Sequence, residues 1–343
     1  MADNNILITG ATGLVGRHLA RRAADAGYHL QAMVRKGSDR SALDGIPVEF
    51  VEGDLAEPET LPAAVADADV VVHSAAHVGD WGPAENYRAI NVVALEHMLN
   101  AVERRGRLRR WIQISSLGVY PYGHHFGTDE TSPIELNHFD GYTQTKSEAE
   151  LVVQRHIRDH GLKAVILRPG FIYGAGDRHA MARIIDKIQS GKMKIVGRGD
   201  RLLNNTAVEN LCEAILLAIE TPGIDGETFN VRDERLVTRE EFINTIADHL
   251  GSPHPRHVPE IVARILVRPI ERIARLRGRQ TPPLLTRAQM KFMTQNLDFS
   301  IAKAKRVLGY QGRFDYSERV PYAIEALTGA TSVAKRSAIA AGA

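Results

Sequence analysis

The sequence has few of the features on which several protein classes depend. Its single cysteine, Cys212, excludes a disulfide within the chain, so the fold does not rely on an oxidising compartment. The formal net charge is only +2 over 343 residues, which argues against a nucleic-acid partner. No apolar run reaches the roughly 20 residues that a transmembrane helix needs. An apolar strand begins at Ile6 with no signal peptide before it, so we expect a cytoplasmic globular protein.

The fourteen histidines are not spaced like the ligands of a metal ion. His124 and His125 lie in a polar stretch, where we expect a solvated loop. His73 ends an apolar run and is predicted to be packed and hydrogen-bonded. The sequence therefore predicts no metal site.

Short β-branched runs alternate with longer amphipathic stretches in the first half of the chain. The predicted strands cover residues 6–9, 29–34, 48–52, 70–73, 110–115 and 163–168. The predicted helices cover residues 14–26, 61–66, 84–104 and 142–160. Nearly continuous apolar strands that alternate with helices indicate an α/β fold, with a parallel sheet covered by helices on both faces.

A strand, a tight glycine turn and the start of a helix follow one another at residues 6–16. Gly10 permits the turn, Gly13 lets backbone N–H groups approach a pyrophosphate, and Gly16 allows the helix to pack closely on the strand. The spacing is Gly-x-x-Gly-x-x-Gly rather than the commoner Gly-x-Gly-x-x-Gly. The alternative is a turn with a purely structural role. We predict a dinucleotide-binding turn formed by Gly10, Thr12, Gly13, Leu14, Val15 and Gly16.

The second predicted strand ends at basic residues, Arg35 and Lys36. An acidic residue here would accept hydrogen bonds from the ribose 2′-OH, whereas an arginine accommodates a 2′-phosphate. Arg35 offers a planar donor fork, with Lys36 or Arg40 as added charge, so we predict NADP(H) rather than NAD(H). In the alternative, Arg35 only stacks on the adenine. Asp54 and Leu55 follow the third strand and are placed to contact the adenine, unless Asp54 merely caps the next helix.

The pattern of the chain changes after Gly174. Helices are predicted at residues 181–190, 208–220, 239–250 and 300–308, with strands near Ile195 and at 228–231. We assign residues 1–175 to the dinucleotide-binding core, to which the chain returns near 204–232. Residues 176–203 and 233–330 are expected to form a smaller, mainly helical substrate-binding part, and residues 331–343 a disordered tail.

Tyr142 and Lys146 lie four positions apart and therefore on one face of a predicted helix. The ammonium favours the phenolate, so Lys146 is expected to lower the pKa of Tyr142 from its usual value of about 10. Such a tyrosine can donate or accept a proton near neutral pH, as the interconversion of an alcohol and a ketone requires. Ser115 and Ser116 end a strand between the glycine turn and this helix.

These residues belong to a series of motifs that resembles the extended short-chain dehydrogenase/reductase family. The series is Thr9-Gly10-x-x-Gly13-x-x-Gly16, His73-Ser74-Ala75-Ala76, Ser115-Ser116-x-x-Val119-Tyr120, Tyr142-x-x-x-Lys146 and Arg168-Pro169-Gly170-x-x-Tyr173-Gly174. The segments at 77–82, 191–197, 206–210, 285–287 and 298–310 are most similar to the 3β-hydroxysteroid dehydrogenase branch. That branch includes sterol 4-carboxylate dehydrogenases and 2-alkyl-3-oxoalkanoate reductases. The resemblance implies a Rossmann-type, doubly wound parallel sheet.

The resemblance also implies roles for individual residues. Tyr142 would be the general acid/base, Lys146 would lower its pKa and hold the nicotinamide ribose, and Ser116 would bind the substrate oxygen. Ser115 is the structural member of its pair and lies beside the cofactor. Further cofactor contacts are expected from Ser74, Ala75, Ala76, Pro169 and Ile172. Asn91 would support the site from a neighbouring helix.

Substrate contacts are expected from His77, Asp80, Trp81, Tyr173 and Ser116. A structural role for His77 and loop packing for Asp80 and Trp81 are the alternatives. Residues 257–279 combine apolar residues at helical spacing with six arginines. We favour a lid whose apolar face covers the substrate cavity, with the arginines in water. Peripheral contact with an anionic membrane is the other interpretation.

The favoured function is an NADP(H)-dependent oxidoreductase that interconverts a secondary alcohol and a ketone. Its substrate would be bulky and apolar, such as a steroid-like compound or a long-chain β-keto acid. One alternative is a nucleotide-sugar epimerase or dehydratase that retains NAD; another is a non-catalytic NADPH-binding sensor. By analogy with the family, a homodimer through the helices near 84–104 and 142–160 is expected.

Overall fold

The computed structural model describes residues 5–279, 281–283 and 285–329. The predicted disordered tail, residues 331–343, lies outside the described residues. The elements up to Tyr173 are β1 (Asn5–Thr9), α1 (Leu14–Asp25), β2 (His29–Val34), β3 (Glu49–Glu52), α2 (Leu61–Ala64), β4 (Val70–His73), α3 (Ala84–Arg88), α4 (Ala94–Arg105), β5 (Arg110–Ile114), β6 (His125–Thr128), α5 (Gly141–His160), β7 (Ala164–Pro169) and β8 (Phe171–Tyr173).

The later elements are short strands between helices. They are α6 (Ala180–Gln189), β9 (Lys194–Val196), β10 (Leu202–Leu203), β11 (Asn205–Ala207), α7 (Val208–Glu220), β12 (Thr228–Val231), β13 (Val237–Thr238), α8 (Arg239–His249), β14 (Arg256–Val258), α9 (Glu260–Leu276), α10 (Arg287–Thr294), β15 (Leu297–Phe299), α11 (Ala302–Leu308) and α12 (Tyr316–Thr328).

The central sheet has seven strands in the order β12-β7-β5-β4-β1-β2-β3, and every neighbouring pair is parallel. The chain winds outward from β1 in both directions, first to β2 and β3 and then to β4. The carboxyl ends of β1 and β4 therefore flank the point where the strand order reverses. In sheets of this kind, that edge is where ligands bind. The predicted doubly wound α/β fold is confirmed.

The two faces of the sheet are covered by separate sets of helices. Ile6 and Ile8 of β1 pack with α1 and α7 on one face, whereas Leu7 packs with α4 and α5 on the other. This alternation follows from the two-residue period of a strand. It explains why the central strands are apolar at nearly every position.

A second core lies between α6, α8 and α12, around the aromatic rings of Tyr173, Phe242 and Tyr316. The chain leaves the central sheet after β7, and β12 pairs with β7 to return to it. The C-terminal part therefore has a hydrophobic core of its own and is tied to the main sheet through the β11–α7–β12 segment.

Three helical segments differ from the sequence expectation, and one of them is α10, which the sequence analysis did not predict. The helix predicted over 84–104 is divided into α3 and α4 by a turn of π-helix at Ala89–Val93, which contains the buried Asn91. The sequence analysis did not predict α12, although Asp315 caps it by accepting a hydrogen bond from the Ser317 N–H. Gly329, in the left-handed conformation, ends that helix.

Candidate active site

The glycine turn between β1 and α1 has the geometry of an anion-binding site. Gly10 has φ of +67°, a conformation that favours glycine. A Cβ at Gly16 would lie 2.3 Å from the Gly10 carbonyl oxygen, so no larger residue fits there. Gly13 precedes α1, and no side chain caps the helix. Uncapped N–H groups at a helix N-terminus suit a phosphate, so this turn fits a dinucleotide.

The segment after β4 is fastened to the glycine turn through Thr9. The Ala75 N–H donates to Thr9 Oγ1 at 3.1 Å, and the Ser74 hydroxyl donates to the Thr9 carbonyl at 2.6 Å. The His73 ring also contacts Thr9 Oγ1, at 3.1 Å. Burial and the nearby Lys146 lower the pKa of His73 to about 3. His73 is therefore a neutral, packed side chain, as predicted.

The predicted adenosine contacts separate into exposed and packed residues. Arg35 and Lys36 are exposed at the end of β2, and the Arg40 guanidinium lies over the Phe50 ring at 4.6 Å. Asp54 accepts a hydrogen bond from the Ala56 N–H at 2.9 Å, so its carboxylate shapes its own turn. Leu55 packs in the core beside α4. The basic residues at β2 are free to meet a phosphate, whereas Leu55 is not open to a ligand.

Ser116, Tyr142 and Lys146 meet beyond the carboxyl end of β5. Ser116 follows that strand, and its Oγ accepts a hydrogen bond from the Gly118 N–H at 3.0 Å. A Cβ on Gly118 would contact both Ser116 Oγ and Thr143, the residue after Tyr142. Asp140 begins α5 by accepting from the Thr143 N–H at 2.8 Å. Lys146 is buried one turn later, and its Nζ lies 6.0 Å from the centre of the Tyr142 ring.

The predicted direction of the Tyr142 pKa is wrong. Burial, reinforced by the negative charge of Asp140, raises the pKa of Tyr142 to about 12. Burial also lowers the pKa of Lys146 to about 8, against the opposing effect of Glu150. The Lys146 ammonium donates to the Ile114 carbonyl at 2.8 Å. The sequence pattern did not reveal that Lys146 is buried and Tyr142 half-buried. Tyr142 is therefore a protonated phenol at neutral pH, ready to donate.

A buried ion pair that the sequence analysis missed lies directly behind these residues. Arg168 of β7 donates three hydrogen bonds to Glu150 of α5, at 2.6, 2.9 and 3.2 Å, and the two side chains are only 5% and 0% exposed. The Ser115 hydroxyl donates to the Glu150 carboxylate. Arg168 donates to the Tyr120 hydroxyl at 2.8 Å. The signal that could have revealed Glu150 is its position one turn after Lys146, on the same face of the helix.

Asn91 fixes the loop after β4 to α5. Its side-chain oxygen accepts from the His77 N–H at 2.7 Å, and its amide donates to the His77 carbonyl at 3.1 Å. The same amide donates to Thr145 Oγ1 at 3.0 Å, between Tyr142 and Lys146. The residue that the resemblance assigned to support of the site thus bridges the two segments that form it.

The predicted substrate residues do not all reach a common cavity. Asp80 and Trp81 line a cavity of about 260 Å³, together with Phe139, Asp140 and Gly141, immediately before Tyr142. His77 packs its ring edgewise against Tyr87, 4.6 Å away.

The prediction that Tyr173 contacts the substrate is wrong. Its ring is fully buried in the core of the C-terminal part, and its hydroxyl donates to Asp233 at 2.8 Å. The motif that contains Tyr173 continues past the sheet edge into this second core. Ile172, its neighbour, is half-buried in β8, and Pro169 is buried at the end of β7.

The prediction that the apolar face of residues 257–279 covers the substrate cavity is wrong. Helix α9 packs inward through its small residues Ala263, Val267 and Ala274, whereas Glu271 and Arg275 line the cavity. Its large apolar side chains are exposed; they are Ile261, Val262, Ile265, Leu266, Ile273 and Leu276. The helix therefore borders the cavity with charged residues and turns its apolar face to the surroundings. Among the described residues, no helix is long and apolar enough to cross a membrane.

Within the described ranges, one group of side chains could hold a metal ion: Glu103, His156 and His160. His156 Nδ1 lies 2.5 Å from the Glu103 carboxylate. Fourteen residues of α5 separate His156 from Tyr142, or about 21 Å along the helix. This group is not part of the candidate active site.

Comparison with known proteins gives a consistent set of relatives. The model of the NAD dependent epimerase/dehydratase family matches residues 6–231. The chain is 27% identical to 2-alkyl-3-oxoalkanoate reductase of Shewanella oneidensis, over 92% of this chain and 84% of that protein. It is 30% identical to 3 beta-hydroxysteroid dehydrogenase/Delta 5-->4-isomerase of Mycobacterium tuberculosis, over 92% and 90% respectively.

Solved structures share the fold. The crystal structure of gox2253 is 27% identical, with a TM-score of 0.78, and the match covers 93% of this chain and 97% of that one. The dTDP-glucose 4,6-dehydratase of Streptomyces venezuelae, solved with NAD and TYD bound, is 20% identical with a TM-score of 0.77, over 95% and 97%. At that identity the second likeness concerns the fold alone.

The buried pair predicts a large loss of stability when one partner is removed. Glu150→Ala leaves the Arg168 guanidinium buried without its counter-charge, so the free energy of unfolding should fall by about 3–5 kcal/mol. Glu148→Ala is the matched control, because Glu148 lies on the same helix and pairs with the half-exposed Arg88. The control should lose at most about 1 kcal/mol. Urea unfolding of both variants measures the difference, and equal losses would contradict a special role for the buried pair.

Proposed function

Because this chain belongs to the NAD-dependent epimerase/dehydratase family, we propose that it is an NADP(H)-dependent oxidoreductase acting on a bulky, apolar ketone or secondary alcohol. The observation that carries the proposal is the placement of Ser116, Tyr142 and Lys146 at the same sheet edge as the glycine turn. The names of relatives add support, because a reductase of 2-alkyl-3-oxoalkanoates and a 3β-hydroxysteroid dehydrogenase both act on such molecules.

Each residue has a distinct part in the proposed reaction. The glycine turn and the N-terminus of α1 would hold the pyrophosphate, and Ser74 to Ala76 would lie beside the ribose and nicotinamide. NADPH, when bound, supplies a hydride to the carbonyl carbon and leaves as NADP+. Tyr142 gives its phenolic proton to the carbonyl oxygen, and Ser116 donates a hydrogen bond that stabilises the charge developing there. The reverse direction oxidises the alcohol and returns the proton to Tyr142.

Replacing the acid tests the proposed reaction. Tyr142→Phe should retain NADPH binding, and its turnover should fall about 10²–10⁴-fold, the usual contribution of a positioned acid. Net NADPH oxidation is followed with steroid ketones, β-keto acids and nucleotide sugars, and NADPH binding by fluorescence. Near-parental turnover in Tyr142→Phe would exclude the role of the phenol. Conversion of a nucleotide sugar without net NADPH consumption would favour an epimerase instead.

The preference for NADP(H) rests on the basic residues at the end of β2. Arg35 and Lys36 are exposed there, and the loop that follows β2 also carries Arg40. Hydrogen bonds from Ser41 lower the pKa of the Asp39 carboxyl in this loop. Arg178, from the segment before α6, lowers the same pKa by a smaller amount through its positive charge. Positive charge from two parts of the chain thus lies near the loop after β2, which supports the proposed preference for NADP(H).

Reversing the charge of Arg35 should reverse the cofactor preference. A guanidinium bound to phosphate is worth about 1.5–3 kcal/mol, so Arg35→Asp should weaken NADPH binding about tenfold to a hundredfold. NADH binding should be unchanged or tighter. Arg306→Asp, an exposed position on α11, is the control. Affinities for both nucleotides are measured by calorimetry, and an unchanged NADPH preference in Arg35→Asp would overturn this assignment.

We further propose that α9 lies on an anionic membrane surface. Its outward face is apolar, and Arg264, Arg268 and Arg272 are exposed on the same helix. The Tyr122 hydroxyl lies beside Arg264, and Tyr122 packs against the half-exposed Phe139. An apolar stripe with arginines and aromatic rings at its border suits the lipid headgroup region. Since Phe139 also lines the cavity, an apolar substrate could enter from the lipid.

Vesicle binding tests the membrane surface. The parent protein should co-sediment with vesicles containing phosphatidylglycerol and bind phosphatidylcholine vesicles more weakly, with binding reduced by high salt. Replacing Ile265 and Leu276 by Ser should abolish most binding, whereas Tyr322→Ser, an exposed site on α12, should not. No binding of the parent to anionic vesicles would remove this proposal.

A homodimer through α4 and α5 is proposed by family analogy. Val93, directly before α4, and Leu151 of α5 are exposed apolar side chains, which supports this proposal.

A further inference from the structure

Lys291 is a half-buried cation next to the candidate active site that the sequence analysis did not single out. It lies on α10, one turn after Arg287, and its side chain points toward the turn that follows Ser116. The Lys291 ammonium donates to the Gly118 carbonyl at 3.3 Å, and the Gly118 N–H in turn donates to Ser116 Oγ at 3.0 Å. One residue, Gly118, thus connects the lysine to the hydroxyl that would bind a ketone oxygen.

The surroundings leave this charge without a direct counter-ion. Asp140 and Glu135 are near enough to favour the charged form, although burial lowers the pKa of Lys291. Their carboxylates accept hydrogen bonds from backbone N–H groups, that of Asp140 from Thr143 and that of Glu135 from Leu136 and Asn137. Within the described ranges, neither forms an ion pair with Lys291. An ammonium that is desolvated and only partly hydrogen-bonded favours an incoming anion.

The position of Lys291 is held by the rest of α10. Thr286 caps this helix by accepting from the Gln289 N–H at 3.1 Å. The buried Glu271 of α9 accepts from the Arg287 backbone and side chain at 2.6 and 2.8 Å. A lysine on a helix fixed at its first turn can hold its charge at one point beside the turn that follows Ser116.

We propose that Lys291 binds a carboxylate of the substrate, so that this site acts on 3-oxo acids rather than on neutral ketones. This inference rests on the proposed function. The two hydrogen bonds and the Gly118 backbone between them limit the separation of Lys291 Nζ and Ser116 Oγ to about 10.5 Å at most. In a 3-oxo acid the carboxyl carbon is two bonds from the ketone carbon. Such a molecule can place its ketone oxygen against Ser116 and Tyr142 and its carboxylate toward Lys291.

The test compares an acid with its neutral ester. Kinetics of NADPH oxidation are measured for a long-chain 2-alkyl-3-oxo acid and for its methyl ester. Lys291→Met should raise KM for the acid about tenfold to a hundredfold, the usual effect of losing a charge-assisted hydrogen bond, and leave KM for the ester nearly unchanged. Lys291→Arg, which keeps the charge, should recover most of the loss. Lys163→Met removes an exposed lysine at the opposite end of β7 and is the control.

The outcomes separate this proposal from the proposed function. Equal losses for acid and ester would mean that Lys291 only shapes the turn at Gly118, and would overturn the carboxylate assignment. Binding of the 3-hydroxy acid product, measured by calorimetry, gives a second readout that needs no turnover. If the parent protein reduces neither compound, the proposed function fails. In that case the carboxylate site would still be supported if the parent binds the 3-hydroxy acid and Lys291→Met does not. Equal binding by the parent and by Lys291→Met would refute the site.

Discussion

The buried ion pair between Glu150 and Arg168 is the interaction on which the candidate active site depends. Glu150 comes from α5, which also carries Tyr142 and Lys146, and Arg168 comes from β7, the sheet strand beside β5. Two charges without access to water are tolerated only when they meet in good geometry and their remaining hydrogen-bonding capacity is satisfied. Ser115 and Tyr120 provide those additional partners. The pair therefore fixes α5 against the ends of β5 and β7, and with it the distance between Tyr142 and Ser116.

Burial, rather than attraction between neighbouring charges, sets the protonation of Tyr142, Lys146 and His73 at the carboxyl edge of the sheet. It raises the pKa of Tyr142 and lowers those of Lys146 and His73, so all three are shifted toward their neutral forms. The wall of the neighbouring cavity is charged, because Glu271 and Arg275 line it. Lys291 is half-buried beside Ser116, where water screens its charge only partly, so it can act on a bound anion at short range.

The strands of the central sheet could be predicted because most of them are continuous apolar runs in the sequence. β2, β4, α7 and β12 have the predicted bounds, and the family inferred from the ordered motifs is confirmed by the match over residues 6–231. The short strands β8 and β11 were not predicted, because their pairing depends on residues more than 30 positions apart. The errors at Tyr142, Tyr173 and α9 have a common cause. A linear pattern tells which side chains are apolar or close in sequence, but not how deeply each is buried or which helix face turns inward.

The turn of π-helix between α3 and α4 has a consequence for how the enzyme tolerates changes in length. A wide turn accommodates one residue more than an ordinary helical turn, and each residue advances a helix by about 100°. Deleting one position within Ala89–Val93 would therefore leave an ordinary helical turn, and α3 and α4 would keep their orientation relative to each other. The apolar stripe of α4 would stay on the sheet, but Asn91 would lose its place between His77 and Thr145. The extra residue of one wide turn thus holds the loop after β4 to the helix that carries Tyr142, whereas the packing of α4 on the sheet does not need it.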